Sequence, residues 1–259
     1  MVLLKKLGSS DFPFFCPGVL GYISRNNQTM EQGTYTFDQL SKKLQEEAIE
    51  ANRDINVYDD WHDPVIEGFQ EDLGELGVGD VEVQYSGFYS QGDGASFTGK
   101  VEDMKKFLVK TLGMTQYSDK ELDELPDSIK EKVEGFIDSL TIAFNRKYGS
   151  RYYHSNTCQA DVWCEILNNA FYDEEYPEGK IYATRLKRFG LENPVYMDIQ
   201  EEVDKIDKAA EEWRSDQCGK LYSSLEKEYD YLQSDEAVSE TLELNGVEFE
   251  VDEEGELVQ

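Results

Sequence analysis

From Ile199 to Leu232 the chain holds one spacing. Ile199, Val203, Ile206, Ala210, Trp213, Leu221, Leu225, Tyr229 and Leu232 follow at helical intervals, and charged residues fill most positions between them. A period near 3.6 places these residues on one stripe of a helix, whereas a strand would scatter them over two faces. The stretch therefore predicts a single amphipathic helix on the order of 50 Å long, at 1.5 Å per residue. Gly219 is its one candidate interruption. A stripe of this length needs an apolar layer to cover it, supplied by the chain's own sheet or by a second copy in a homodimer.

The remaining patterns provide such a layer. The first thirty residues mix Gly, Pro and aromatic residues without a period and read as an irregular arm. Phe37, Leu40, Leu44 and Ile49 then mark a helix over about Phe37–Ala51, with Thr36 and Gln39 spaced as a capping box. A second helix opens at Trp61-His-Asp-Pro, where Pro64 suits the first turn and Val65, Phe69 and Leu73 form the buried stripe. Val81–Phe88 alternates apolar and polar residues, and Ala95–Val101 reads as its partner in a hairpin whose tip carries Gly92 and Gly94. Helices are expected at Val101–Leu112 and Asp127–Asn145, an extended stretch at Arg151–Trp163, and a Ser234-capped helix over Asp235–Leu242. A last hairpin pairs Val247–Val251 with Glu256–Val258. These elements define an α+β fold: a small antiparallel sheet covered by helices, with a long amphipathic C-terminal helix and a terminal β-hairpin. The expected divisions are 1–35 for the arm, 36–198 for the α+β core, and 199–259 for the acidic helix and hairpin packed on it.

Charge limits what such a fold can bind. Asp and Glu number 55 against 25 Lys and Arg, a formal net charge of -30. Duplex binding relies on cations that neutralise phosphates, so direct binding to double-stranded nucleic acid is not expected, nor is binding to an anionic membrane. With 39% hydrophobic residues, 13 Phe, 16 Tyr and 3 Trp, the chain still has the material for a core, unlike an acidic disordered tail. The charge is also unevenly placed. Between Ile55 and Gly99 there are ten acidic residues and no Lys or Arg, and Glu201–Gln259 holds 20 acidic and 5 basic residues. Asp59, Asp60, Asp63, Glu67, Glu71, Asp72, Glu201, Glu202, Glu211 and Glu212 are the acidic candidates for a partner-binding surface. Basic and aromatic residues instead gather at Arg146, Lys147, Tyr148, Arg151, Tyr152 and Tyr153, and again at Lys180, Tyr182, Arg185, Lys187, Arg188 and Phe189.

Catalytic chemistry has little to stand on. His62 and His154 are the only histidines, and they lack a metal-ligand spacing. Cys16, Cys158, Cys164 and Cys218 form no Cys-x-x-Cys pair and read as reduced thiols. The Asp59-Asp60-Trp-His-Asp63 run does not match a calcium loop. No metal, no cofactor and no catalytic residue is assigned. The Ser90–Ser96 loop, with Ser90, Gln91, Asp93 and Ser96, is the one segment with side chains and glycines suited to hold a small ligand; its other reading is a tight turn that satisfies its own backbone. No apolar run approaches a membrane span, and Met1-Val-Leu-Leu-Lys-Lys is short for a signal peptide, so the cytoplasm is the expected location.

Two segments, Tyr85-Ser-Gly-Phe-Tyr-Ser-Gln-Gly-Asp-Gly-Ala-Ser-Phe-Thr-Gly and Leu225-Glu-Lys-Glu-Tyr-Asp-Tyr-Leu-Gln-Ser-Asp-Glu-Ala-Val-Ser-Glu-Thr-Leu-Glu-Leu-Asn, resemble an uncharacterised family of proteins encoded by tailed bacteriophages and prophages, some labelled antitoxin-like. The resemblance implies phage origin and action in the cytoplasm of a host bacterium. Joined to the charge pattern, it gives the leading expectation: a non-enzymatic accessory protein that binds and inhibits a host protein with a basic or nucleic-acid-binding surface. Such a target would be an antiphage-defence or DNA-handling factor. Carboxylates four residues apart on a helix rise about 6 Å, a spacing that permits imitation of a phosphate array. The alternatives are a small-ligand-binding protein or enzyme using the Ser90–Ser96 loop, and an antitoxin that neutralises a basic toxin.

Overall fold

The computed structural model describes residues 30–169, 180–183 and 195–258. The amino-terminal arm through residue 29, Cys16, and the basic residues Arg185, Lys187 and Arg188 with Phe189 lie outside them. The elements run β1 (Gly33–Thr36), α1 (Lys42–Ala51), α2 (Asp63–Glu75), β2 (Val78–Ser86), β3 (Gly94–Val101), α3 (Met104–Lys106), α4 (Asp119–Leu122), α5 (Asp127–Asp138), β4 (Leu140–Arg146), β5 (Cys158–Cys164), α6 (Glu165–Asn169), β6 (Lys180–Ala183), β7 (Val195–Asp198), α7 (Ile199–Leu232), α8 (Asp235–Leu244) and β8 (Glu248–Val251). The architecture is α+β, with a small antiparallel sheet, covering helices and one long helix near the carboxyl end.

The chain divides into two compact units. The first joins the described residues through Ala48 to those from Gly246 onward. Within it β1 pairs antiparallel with β8, from Gly33 opposite Val251 to Thr36 opposite Glu248. Phe37, Leu40, Leu44 and Val251 are buried, and the Phe37 and Phe249 rings lie 6.4 Å apart. The tail also folds back on β8 through a bridge between Val251 and Leu257. Asp252 N donates to Glu256 O at 3.0 Å, and Val258 N to Glu250 O at 2.9 Å. The terminal hairpin is therefore present, but its longer pairing is with β1, inside the segment expected to be irregular.

The second unit, Ile49–Asn245, contains the four-stranded antiparallel sheet in the order β2-β3-β4-β5. Val83 stands opposite Phe97, Gly99 opposite Phe144, and Phe144 opposite Ala160. Directly opposed residues share a face. Val83, Phe97, Phe144 and Ala160 thus lie on the inner face, while Gln84, Ser96, Asn145 and Gln159 belong to the outer one. Strands β6 and β7 form a separate antiparallel pair, with Lys180 opposite Asp198.

Helix α7 covers the inner face without a break at Gly219, whose position has open space around it. Its Trp213 ring meets Phe107 at 5.0 Å, Phe144 at 5.3 Å and Phe97 at 6.1 Å. Phe107 begins a π-helical turn, Phe107–Thr111, where the sequence predicts an uninterrupted helix over Val101–Leu112. Strand β4 is a further difference, since the helix expected over Asp127–Asn145 ends at Asp138. Leu140, Ile142 and Phe144 are buried while Thr141 and Asn145 are exposed, and this alternation suits a strand lying on a core.

Replacing Phe144 by Ala removes a ring from the centre of this layer and should cost about 3–5 kcal/mol. Trp163, 64% exposed on the outer face, should change stability by no more than about 0.5 kcal/mol when replaced by Ala. Urea unfolding of the two variants checks this, and equal losses would contradict the assignment of faces.

Candidate functional site

The acidic candidates fall into two groups that differ in what already occupies them. On α7, Glu202 is buried, accepting from the Tyr117 hydroxyl at 2.7 Å and from Gln116 Nε2 at 3.1 Å. Glu211 accepts from Arg214 Nε at 2.9 Å and Nη2 at 2.7 Å, and from the backbone N–H of Ala160 at 2.8 Å. Burial alone would push the Glu211 carboxyl up; the Arg214 fork and the Ala160 N–H outweigh it and hold the carboxyl below its usual value. Both residues are therefore structural. Glu211 also satisfies an N–H of β5, which among the described residues has no neighbour in the sheet on that side; this is one way to cover a sheet edge. Glu201 pairs with Lys205 at 3.0 Å and Glu212 with Lys208 at 3.9 Å, both on the exposed side.

The residues preceding and within α2 differ. Asp59, Asp60, Asp63, Glu67, Glu71 and Asp72 are all exposed, as is Glu75. Asp63, Glu67, Glu71 and Glu75 are each four residues apart and so form one stripe on the helix. Among the described residues no Lys or Arg pairs with any of these seven; only His62 Nδ1 approaches, 3.1 Å from Asp63 Oδ1. Each like-charged step of four costs roughly 0.2–0.5 kcal/mol. The last turn has no basic residue to offset Asp72 and Glu75 near the negative end of the helix dipole. The opposite face of α2 is what holds the stripe in place: Val65, Ile66 and Phe69 pack with Trp61 against Phe88, Ala95, Leu221 and Leu225.

That apolar seam brings the hairpin tip to the second half of α7. Phe88 lies 5.0 Å from the Tyr229 ring and 5.7 Å from that of Tyr222, and Trp61 lies 5.4 Å from Tyr229. Tyr89 follows in an uncommon backbone conformation for a side chain of its size, φ 122°, with its ring 76% exposed. Its hydroxyl donates to Asp230 Oδ1. Tyr222, Glu226 and Asp230 are spaced by four, so they form a column on α7 beside the tip. The hydrogen bond to Asp230 is the main reason the Tyr89 phenol is pushed up to about 12, with Glu226 adding to it. Burial first, then Glu226 and Asp93, raise that of Tyr222.

Of the loop candidates, Ser90 and Gln91 are exposed, and Ser96 is buried within β3 opposite Gln84. Asp93 accepts from Ser90 N at 2.5 Å and so closes the turn. The turn is in turn covered by the β4–β5 connection. A Cβ on Gly94 would lie 2.4 Å from His154 Cβ, and one on Gly92 3.2 Å from the Tyr152 ring. The free thiols Cys158 and Cys218 are buried, and burial raises both, Cys218 to about 11, which leaves them protonated at neutral pH. Among the described residues no three His, Cys, Asp or Glu side chains are grouped so as to hold a metal ion. None of the described helices is long and apolar enough to cross a membrane.

Tyr89, Tyr222, Glu226 and Asp230 are absent from the candidates read from sequence. The spacing of four along α7 is visible there; its position against the hairpin tip is not.

Fold and surface together define an α+β protein whose α2 carries an exposed acidic stripe without a Lys or Arg partner among the described residues, supported by an aromatic seam between a β-hairpin and a long helix. The chain belongs to the family of the domain of unknown function DUF8835, matched over residues 61–235. That span begins at Trp61, ends at the start of α8, and includes the stripe, the four-stranded sheet and α7. No curated protein and no solved structure matches the chain.

Replacing Asp230 by Asn should return the Tyr89 phenol toward its ordinary value of 10.0. Because the folded-state value is raised, this tie contributes to stability below about pH 10 and loses its contribution as the pH climbs toward 12. An ultraviolet difference titration of the two proteins follows the phenol; an unchanged high-pH midpoint would show that Asp230 is not its cause.

Proposed function

We propose that this protein acts by binding another protein, using the acidic stripe of α2 to engage a basic or nucleic-acid-binding surface. The observation that carries this reading is the set Asp63, Glu67, Glu71 and Glu75: four exposed carboxylates in register, without a Lys or Arg partner among the described residues, on a helix whose other face is fixed in the apolar seam. Like-charge repulsion destabilises such a helix, and a basic partner removes that cost on binding. Asp59, Asp60 and Asp72 extend the charge, and the exposed rings of Tyr58 and Tyr89 supply aromatic contact area.

The resemblance of Tyr85–Gly99 and Leu225–Asn245 to phage and prophage proteins supports a setting in the cytoplasm of an infected bacterium. There the partner would be a host antiphage-defence or DNA-handling factor, inhibited because carboxylates occupy the site that phosphates otherwise take. The Ser90–Ser96 ligand-loop reading has less support, since Asp93 is already committed to closing the turn.

The full chain and its Glu67→Gln/Glu71→Gln variant, immobilised in parallel, test this on lysate of a bacterial host. A partner retained by the wild type should elute as salt rises, should be displaced by duplex DNA, and should be lost in large part from the variant. Retention that ignores salt and both substitutions would refute the reading, and a partner that binds DNA and this protein together would refute the mimicry.

A further inference from the structure

We infer that the seam between the β2–β3 hairpin tip and α7 is a seat for an arginine side chain, made by the Tyr89 ring with the carboxylates of Glu226 and Asp230. The inference rests on the reading above, that the partner is basic, and names the contact that would anchor it. Tyr89 presents a largely exposed aromatic face, and a cation placed over such a face is attracted by the ring quadrupole. Two constraints keep that face in place: the hydroxyl is tied to Asp230, and the adjacent Phe88 is buried among Trp61, Tyr85, Tyr222 and Tyr229. The plate is thus organised before a ligand arrives, which lowers the ordering cost of binding.

The carboxylates of Asp230 and Glu226 both act on the Tyr89 phenol. Glu226 and Asp230 are four residues apart on one face of α7, and Asp93 approaches from the hairpin side, near enough that it and Glu226 both act on Tyr222. Among the described residues none of the three carboxylates has a Lys or Arg ion pair. They do not gather into a metal-binding group. Carboxylates without a Lys or Arg ion pair among the described residues, beside an aromatic plate, suit a broad planar cation. Guanidinium meets both demands at once, stacking on the ring while its N–H groups fork to carboxylates; a lysine ammonium is a hydrated point charge without the planar face.

The test uses the full chain and two fluorescein-labelled probes, an oligo-arginine peptide and an oligo-lysine peptide of equal length, with affinities read by fluorescence anisotropy. The wild type should prefer the arginine peptide. Tyr89→Ala should weaken it by roughly three- to thirtyfold, the range a cation–π contact supplies, and should abolish the preference over lysine. Tyr89→Phe should keep much of the preference, and Glu226→Gln/Asp230→Asn should weaken both peptides. Thermal unfolding of each variant identifies any loss of fold, and Tyr89→Phe keeps the test valid should Tyr89→Ala unfold. Equal affinity for the two peptides, with Tyr89→Ala leaving both unchanged, would overturn the arginine seat. If peptide binding in that case still falls in Glu67→Gln/Glu71→Gln, the acidic-surface reading survives; if neither peptide binds the wild type at all, both fail.

Discussion

Trp213 ties the long helix to the sheet. It is the one side chain of α7 in ring contact with β3, β4 and the π-helical turn, through Phe97, Phe144 and Phe107. An unbroken 34-residue helix carries it, so fixing this contact also fixes where residues further along must lie. Leu221 and Leu225, two and three turns on, meet the hairpin tip and α2. Tyr222, Glu226 and Asp230 follow on the neighbouring face. The acidic stripe and the aromatic seam are therefore positioned by a core contact several turns away.

Polar groups inside the unit lock this register rather than drive it. Arg214 is 2% exposed and uses its donors on Glu211, the Ser155 carbonyl at 2.8 Å and Cys218 Sγ at 3.5 Å. Removing the Glu211 carboxylate, whose side chain is 42% exposed, would leave the buried guanidinium with the Ser155 carbonyl and Cys218 as its partners. Arg146 acts similarly at the end of β4, donating to the Ser150 carbonyl at 2.8 Å and lying 4.5 Å from the Tyr153 ring. Through it the β4–β5 connection is held against the hairpin, where Gly94 leaves room for His154.

How much of this was legible follows from how local each signal is. Pro64, the alternation along Val81–Ser86 and the stripe of α7 each declare an element within a few residues, and the structure has all three. Strand β4 was hidden because Leu140 and Phe144, four apart, continue the helical pattern of Ile129, Val133, Phe136 and Ile137 while also fitting a strand with Ile142; only the tertiary layer decides between the two periods. Among the acidic candidates, the Glu211–Arg214 pair was readable as neighbours on one helix. The burial of Glu202 was not, since its partner Tyr117 is 85 residues distant. Composition locates charge along the chain but cannot say which carboxylates the fold consumes.

What remains after that consumption is the α2 stripe, exposed and like-charged at every step of four, which the fold carries at a net cost. Equilibrium urea unfolding of Glu67→Gln/Glu71→Gln at low ionic strength measures this directly. Relief of like-charge repulsion over three steps of four should make the variant more stable than the wild type by about 0.6–1.5 kcal/mol. A variant less stable than the wild type would mean that these carboxylates are partnered within the fold, and would contradict an acidic face reserved for binding.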